Sequence, residues 1–366
     1  MLLDQIAGHD RAKATLKRAV LGDTPAHAYL LLGPPSVGKT ATALAFAGDL
    51  FEVTGTPLRA GLHADLWVED SDAETISIDV IRRDSKNRAE SGDGGKSDRS
   101  KSGVPAQPLQ SFLGLRGMHS DRRVAVIARA ERLRETAASP LLKTIEEPPD
   151  GAVLILCAEA AELLPITIRS RCQVLDFSPL NDLDLRDFLE KRGAELPRAL
   201  LRLAQGRPGL ALELAADPGA AKRRLDWGSA LESLAGGSWL DIVRLGASFG
   251  GADSSKNRAL AREALDCWES WLRDFAAGRA GAVELTAGPM EPDASPLSGA
   301  AASEPAVSAA AWAEASDPKW ADIALPALVG IWGSAREAAD RVENNVNPRL
   351  AIEVFLSDVL RAQAAA

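Results

Sequence analysis

The residues with the clearest chemical content are Gly33-Pro34-Pro35-Ser36-Val37-Gly38-Lys39-Thr40, which fit the pattern G-x-x-x-x-G-K-[ST]. Each residue type has a use at that spacing. The glycines let backbone N–H groups wrap a phosphate chain, Lys39 reaches the terminal phosphates, and Thr40 offers a hydroxyl to Mg²⁺. A helix starting there adds the positive end of its dipole. The chemistry implied is binding of ATP or ADP. The alternative is a loop that keeps its shape for packing and holds no nucleotide.

Hydrolysis asks for more. A P-loop ATPase needs an acidic residue at the end of a neighbouring strand to hold Mg²⁺ and, in many cases, a second to position the attacking water. The strand concerned is Arg123-Val124-Ala125-Val126-Ile127, and it runs into Ala128-Arg129-Ala130-Glu131. A methyl group and a guanidinium therefore stand where adjacent acids are expected. Ala128 coordinates nothing, and Arg129 would repel the cation. Glu131 is the carboxylate in reach, three residues late, where it reads as the start of the next helix. The expectation is nucleotide binding, Mg²⁺ held weakly or not at all, and no hydrolysis by this chain.

The elements that must position the loop are legible around it. Apolar residues Ile6, Ala12, Leu16, Ala19 and Val20 recur at a helical period over 4–22, Ala28–Leu32 is an apolar run of strand length, and Thr40–Leu50 is again helical. Strand, glycine loop and helix follow in the order the chemistry requires. Arg123–Ile127 and Ala152–Leu156 are continuous apolar runs, which predicts strands buried on both faces in a parallel α/β sheet. After Asp176-Phe177-Ser178-Pro179 the strand signal ends, and from Leu183 helical patterns follow one another, so a domain boundary is expected near 180.

Two stretches break the pattern. Residues 84–103 hold no Val, Ile, Leu, Met or aromatic side chain, which predicts a disordered insertion. Residues 286–318 set Pro289, Pro292, Pro296, Pro305 and Pro318 among Ala and Ser, a low-complexity excursion between helices. Helical pattern resumes over 321–363.

Composition bounds the rest. The 366 residues predict two or three domains at roughly 150 residues each. With 46% hydrophobic and 25% charged residues, the chain is expected to form ordinary cores. A net charge of −9 means that contact with nucleic acid needs a local basic patch or a partner that supplies the charge. Three widely spaced cysteines, Cys157, Cys172 and Cys267, fit neither a disulfide framework nor a zinc module, so a cytoplasmic location is expected. Met1–Gln5 carries no signal-peptide pattern and no segment has membrane-spanning character, so no membrane partner is expected.

Longer stretches carry a more specific signal. GHDRAKATLKRAV, HAYLLLGPPSVGKT, ASPLLKTIEEPP and LLPITIRSRC together resemble the bacterial clamp-loader subunits of DNA polymerase III, which are AAA+ proteins. The likeness covers roughly 1–215 and reappears at Asn345-Val346-Asn347-Pro348-Arg349-Leu350 with Glu353. It implies three domains: a P-loop AAA+ α/β domain over 1–180, with a parallel sheet and helices on both faces; a small helical lid over 181–223; and an all-helical collar over 224–366 through which such subunits assemble. Within that family the chain looks nearer to the delta-prime stator than to the ATP-hydrolysing gamma or tau motor. Ala128 and Arg129 replace the motor's acids, Cys157-Ala158-Glu159 replaces its sensor threonine, and Gly206-Arg207-Pro208-Gly209-Leu210 stands where its phosphate-reading arginine falls.

The resemblance further implies partners: gamma/tau motor subunits and the delta subunit directly, and the sliding clamp and primer-template DNA through the complex, as part of the DNA polymerase III holoenzyme. Arg171, in the SRC stretch, would act in trans as an arginine finger at a neighbour's ATP site, with Arg169 the other arginine in reach. Family members usually carry a four-cysteine zinc module after the phosphate-loop helix. Phe51 to Leu66 holds no cysteine, so no zinc is expected and no metal site is assigned.

The remaining candidates read as structural. His9, His27, His63 and His119 show no ligand spacing and suit helix ends and packing. Cys157 and Cys172 are expected as small buried hydrophobes flanking strands. Trp268 and Trp271, at i and i+3, read as core. Arg82, Arg83, Lys86, Arg116, Arg122 and Arg123 could face DNA or simply solvent.

Overall fold

The computed structural model describes residues 1–55, 58, 63–71, 75–82, 107–234, 237–251, 254–280, 320, 322–343 and 346–364. The expected insertion at 84–103 and the stretch 286–318 lie outside the described residues, as do Arg83, Lys86 and Asn345.

Runs with apolar side chains on both faces are stable only between two covering layers, and the sheet is built from such runs. Its strands are β1 (Ala28–Leu32), β2 (Leu66–Glu69), β3 (Arg123–Ile127), β4 (Ala152–Ala158) and β5 (Gln173–Asp176). They lie in the order β2-β3-β4-β1-β5, every pair parallel. In the centre Leu30 of β1 stands opposite Leu156 of β4 on one side and Val174 of β5 on the other. All seven residues of β4 are buried.

Parallel strands need crossover helices, and these cover both faces. On one face Tyr29, Leu31, Val124, Val126, Ile155 and Cys157 pack with Leu16 of α1 (Asp10–Leu21) and Phe46 of α2 (Lys39–Leu50). On the other, Leu30, Ala125, Ile127, Leu154 and Leu156 pack with Ile81 of α3 (Ile78–Ile81), Phe112 of α4 (Leu109–Leu113) and Leu141 and Ile145 of α5 (Glu135–Glu146). A short helix α6 (Ile166–Arg169) leads into β5. The expected parallel α/β sheet with helices on both faces is what forms.

Local details depart from expectation at two places. The helix read over 4–22 is two pieces, a 3₁₀ turn over Leu2–Gln5 and α1 from Asp10. Gly8 (φ +62°) and His9 (φ +54°) are left-handed and break the helical path between them. A Cβ at Gly8 would lie 2.1 Å from Leu180 Cδ2, which explains a glycine there. Cys157 lies inside β4 and does not flank it, while Cys172 immediately precedes β5. Burial pushes both thiols up to about 12.

By contact, the described residues divide into two compact units, 1–180 with 207–209, and 181–206 with 210–366. The second unit is helical: α7 (Asp182–Glu190), α8 (Arg198–Ala204), α9 (Pro208–Ala216, of which Leu210 onward belongs here), α10 (Pro218–Ser233), α11 (Trp239–Ala247), α12 (Ser254–Arg279), α13 (Leu325–Glu343) and α14 (Pro348–Ala364). Two of its helices start where a polar side chain satisfies a free backbone N–H group: Asn181 Oδ1 accepts from Asp184 N (2.8 Å), and Asp217 Oδ1 from Gly219 N (2.8 Å). Trp268 and Trp271 are core residues, with Phe249, Trp320, Ile331, Ile352 and Phe355. The Trp268 indole N–H donates to Trp227 O at 2.7 Å, so its polar atom is satisfied inside the core.

Candidate functional site

β1 delivers the chain to Gly33 at the carboxyl end of the sheet, and α2 begins at Lys39, with Gly38 as its N-cap. Between them the loop needs backbone angles that ordinary residues avoid. Gly33 (φ +153°) and Gly38 (φ +113°) supply two of these, and Ser36 adopts φ +61° at the exposed tip. Gly33 also allows a close approach, since a Cβ there would sit 2.2 Å from Phe177 O. Pro34 is half-buried and Pro35 exposed, while Val37 is fully buried and anchors the loop in the core.

Lys39 is 8% exposed, and its ammonium donates to the carbonyls of Gly33 and of Pro34 (2.8 Å). Burial lowers its pKa, while Cys157, Glu159 and Glu131 favour its charged form. The neighbouring Thr40 hydroxyl favours the Cys157 thiolate, against the stronger effect of burial. Two further loop carbonyls accept from elsewhere in this unit: Val37 O pairs with His9 Nε2 (3.0 Å) and Ser36 O accepts from Gly209 N (2.9 Å). The loop, Lys39 and Thr40 thus have the backbone and donors to hold a nucleotide's phosphates.

The end of β3 fits a metal poorly. Ala128 is buried, and Arg129 turns to the end of β2, donating to Asp70 O and Oδ1 (both 3.2 Å) and Ser71 O (2.5 Å). Glu131 sits in a 3₁₀ turn over Ala130–Arg132, so it precedes and does not start α5. Its Oε2 is buried without a hydrogen-bond partner among the described residues. Burial raises its pKa, and Glu159, exposed beyond β4, raises it further, while Lys39 lowers it. Among the described residues no three His, Cys, Asp or Glu side chains are grouped to hold a metal ion.

Arg171 lies just before β5, 41% exposed, its Nη2 2.9 Å from Glu146 Oε1 and its Nη1 3.1 Å from Thr167 O. The two most distinctive stretches, LLKTIEEPP and SRC, therefore meet through this pair.

The protein family described as DNA polymerase III, delta subunit, matches residues 8–181. A DNA polymerase III subunit delta' from Bacillus subtilis is 27% identical over 190 residues, 49% of this chain and 50% of that one. Another, from Haemophilus influenzae, is 37% identical over 108 residues, 29% of this chain and 33% of that one. Residues 8–181 are thus similar to subunits of the DNA polymerase III clamp loader.

Other clamp-loader relatives also match. The tau subunit of Bacillus subtilis is 29% identical over 175 residues, 48% of this chain and 28% of that one. The chain spans half or less of the length of these three relatives. A solved gamma-subunit-related protein from Thermotoga maritima aligns over 96% of this chain and 99% of that chain, at 16% identity and a TM-score of 0.42.

Within residues 8–181, several charged residues prove structural. Arg123 is buried, donates to Phe112 O (3.2 Å) and Arg116 O (2.8 Å), and lies 4.6 Å from the centre of the Phe112 ring. It faces no DNA. Arg122 bonds Asp23 at 2.5 Å. Asp65, which motif reading passed over, is fully buried and accepts from the N–H groups of Met118, His119 (both 2.7 Å) and Ser120 (3.2 Å), with Arg123 at 3.7 Å. His63 stacks on Phe51 at 4.3 Å. His9 and Gly209 were invisible as loop partners in the sequence because neither belongs to a motif with the loop.

Proposed function

We propose that the chain is a delta-prime-type subunit of a bacterial clamp loader, a stator that binds ATP or ADP and does not turn it over. The observation that carries the reading is the pairing of a complete phosphate loop with Ala128 and an Arg129 committed to Asp70 and Ser71. Lys39 and the loop N–H groups would hold the phosphates. Mg²⁺, where bound, would supply charge neutralisation, with Thr40 its ligand from this loop. Relatives named delta' and the family match support the assignment to a clamp loader. The match to a tau subunit supports the second reading, an ATP-hydrolysing motor.

On the stator reading the partners are gamma/tau motors and the delta subunit, with the sliding clamp and primed DNA reached through the complex in the cytoplasm. Residues 181–223 act as the lid and 224–366 as the collar. No described helix is long and apolar enough to cross a membrane. Two measurements decide between the readings. Equilibrium titration with ADP should show binding that Lys39→Ala abolishes, and steady-state assays of the purified chain should show no ATP turnover. Turnover lost in Lys39→Ala would establish the motor reading instead.

A further inference from the structure

A loop that points successive N–H groups at an anion must turn its carbonyls outward, and each outward carbonyl needs a donor. In this loop four carbonyls are so engaged. Gly33 O and Pro34 O accept from Lys39, Ser36 O from the Gly209 N–H, and Val37 O faces His9 Nε2 at 3.0 Å. Lys39 is the donor that a phosphate would draw away. The Gly209 N–H and His9 are then left to hold the carbonyls outward.

His9 is the one side chain of the two, and its placement is over-determined. Its backbone is left-handed (φ +54°) directly after left-handed Gly8, and its ring lies 4.6 Å from the Phe177 ring at 47°. The Phe177 carbonyl is the group that closes on Gly33 at the other end of the loop. Gly38 leaves room beside the imidazole, for a Cβ there would be 3.8 Å from Nε2. Since Val37 O only accepts, Nε2 must carry the proton. Burial lowers the pKa of His9, so the neutral Nε2–H form serves at neutral pH.

We infer that His9 is a positioning residue for nucleotide binding: its Nε2–H holds the Val37 carbonyl outward and keeps the loop's N–H groups aimed at a di- or triphosphate chain, whatever base is attached. The inference rests on the nucleotide-binding reading above.

The test uses the full chain, titrated with ADP and, separately, with inorganic tripolyphosphate. His9→Leu, which keeps bulk and loses the donor, should weaken both ligands about tenfold, the scale of one hydrogen bond. His9→Gln, which restores a side-chain N–H, should recover most of that loss. Unchanged binding of both ligands by the Leu variant overturns the inference, as does weakened ADP with unchanged tripolyphosphate, which would place His9 against the base. If the wild-type chain binds neither ligand, the nucleotide reading itself fails. Should the Leu variant not fold, ¹⁵N spectra of the wild-type imidazole decide. A proton on Nε2 that is retained when tripolyphosphate is added supports the inference, and a proton on Nδ1 overturns it.

Discussion

Arg171 Nη2 lies 2.9 Å from Glu146 Oε1, joining the segment before β5 to the last residue of α5. Both side chains are nearly half exposed, 41% and 47%. Exposed pairs of this kind contribute about 0–1 kcal/mol, so Arg171 can be released to another acceptor at small cost.

Arg171→Ala should therefore leave the melting temperature within a few degrees of wild type. In a reconstituted loader it should lower DNA-stimulated ATPase in part, since an arginine supplied in trans serves one site among several and is worth on the order of 10³–10⁵ there. A mutant complex that hydrolyses ATP and loads clamps at the wild-type rate would remove Arg171 from that role.

Gly33→Ala should damage the site from its first residue. At φ +153° the new Cβ would meet Phe177 O at 2.2 Å, so either the loop or the segment after β5 must move. The expected cost is about 1–3 kcal/mol in urea denaturation, with loss of ADP binding. Retention of both would show that the loop relaxes freely.

Asp65→Asn should destabilise the chain by about 2–3 kcal/mol, because a buried carboxylate loses charge-assisted bonds from three N–H groups and its Arg123 neighbour. Burial acts to raise the Asp65 pKa, but the N–H groups and Arg123 together hold it below the usual value of 3.8. A depressed carboxylate stabilises the fold fully above its unfolded pKa and loses that contribution as pH falls below about 3.8. Acid unfolding of Asp65→Asn should accordingly lack that share of the pH dependence, read by circular dichroism between pH 5 and 2.

Glu131→Gln should act in the opposite direction. Burial raises the Glu131 pKa above 4.5, so the ionised form costs stability at neutral pH, a cost relieved as pH falls through the folded pKa. The amide should raise the melting temperature at pH 7.5 and leave ADP affinity in the absence of Mg²⁺ unchanged. A lowered melting temperature would mean that the carboxylate has a stabilising partner when folded.

The parts of this protein legible in its sequence are those enforced locally. Gly33, Gly38 and Lys39 announce the loop because a phosphate cradle demands those backbone angles and that charge at fixed spacing. β1, β3 and β4 announce themselves because a strand covered on both faces must be apolar throughout. β2 and β5 escaped notice: each has four residues, and β5 exposes three of them, so neither shows a run. The absence of acids at Ala128 and Arg129 was equally readable, but the destination of Arg129, Asp70 and Ser71 some 59 residues away, was not. The same holds for His9 and Val37, 28 residues apart, and for Glu146 and Arg171. Sequence pattern alone determined the loop, the sheet class and the missing acids, because backbone geometry and burial act on neighbours in the chain. Which donor holds each loop carbonyl, and which carboxylate restrains Arg171, was decided only by the tertiary fold, because a hydrogen bond depends on position in space and leaves no periodic mark between residues far apart in the chain.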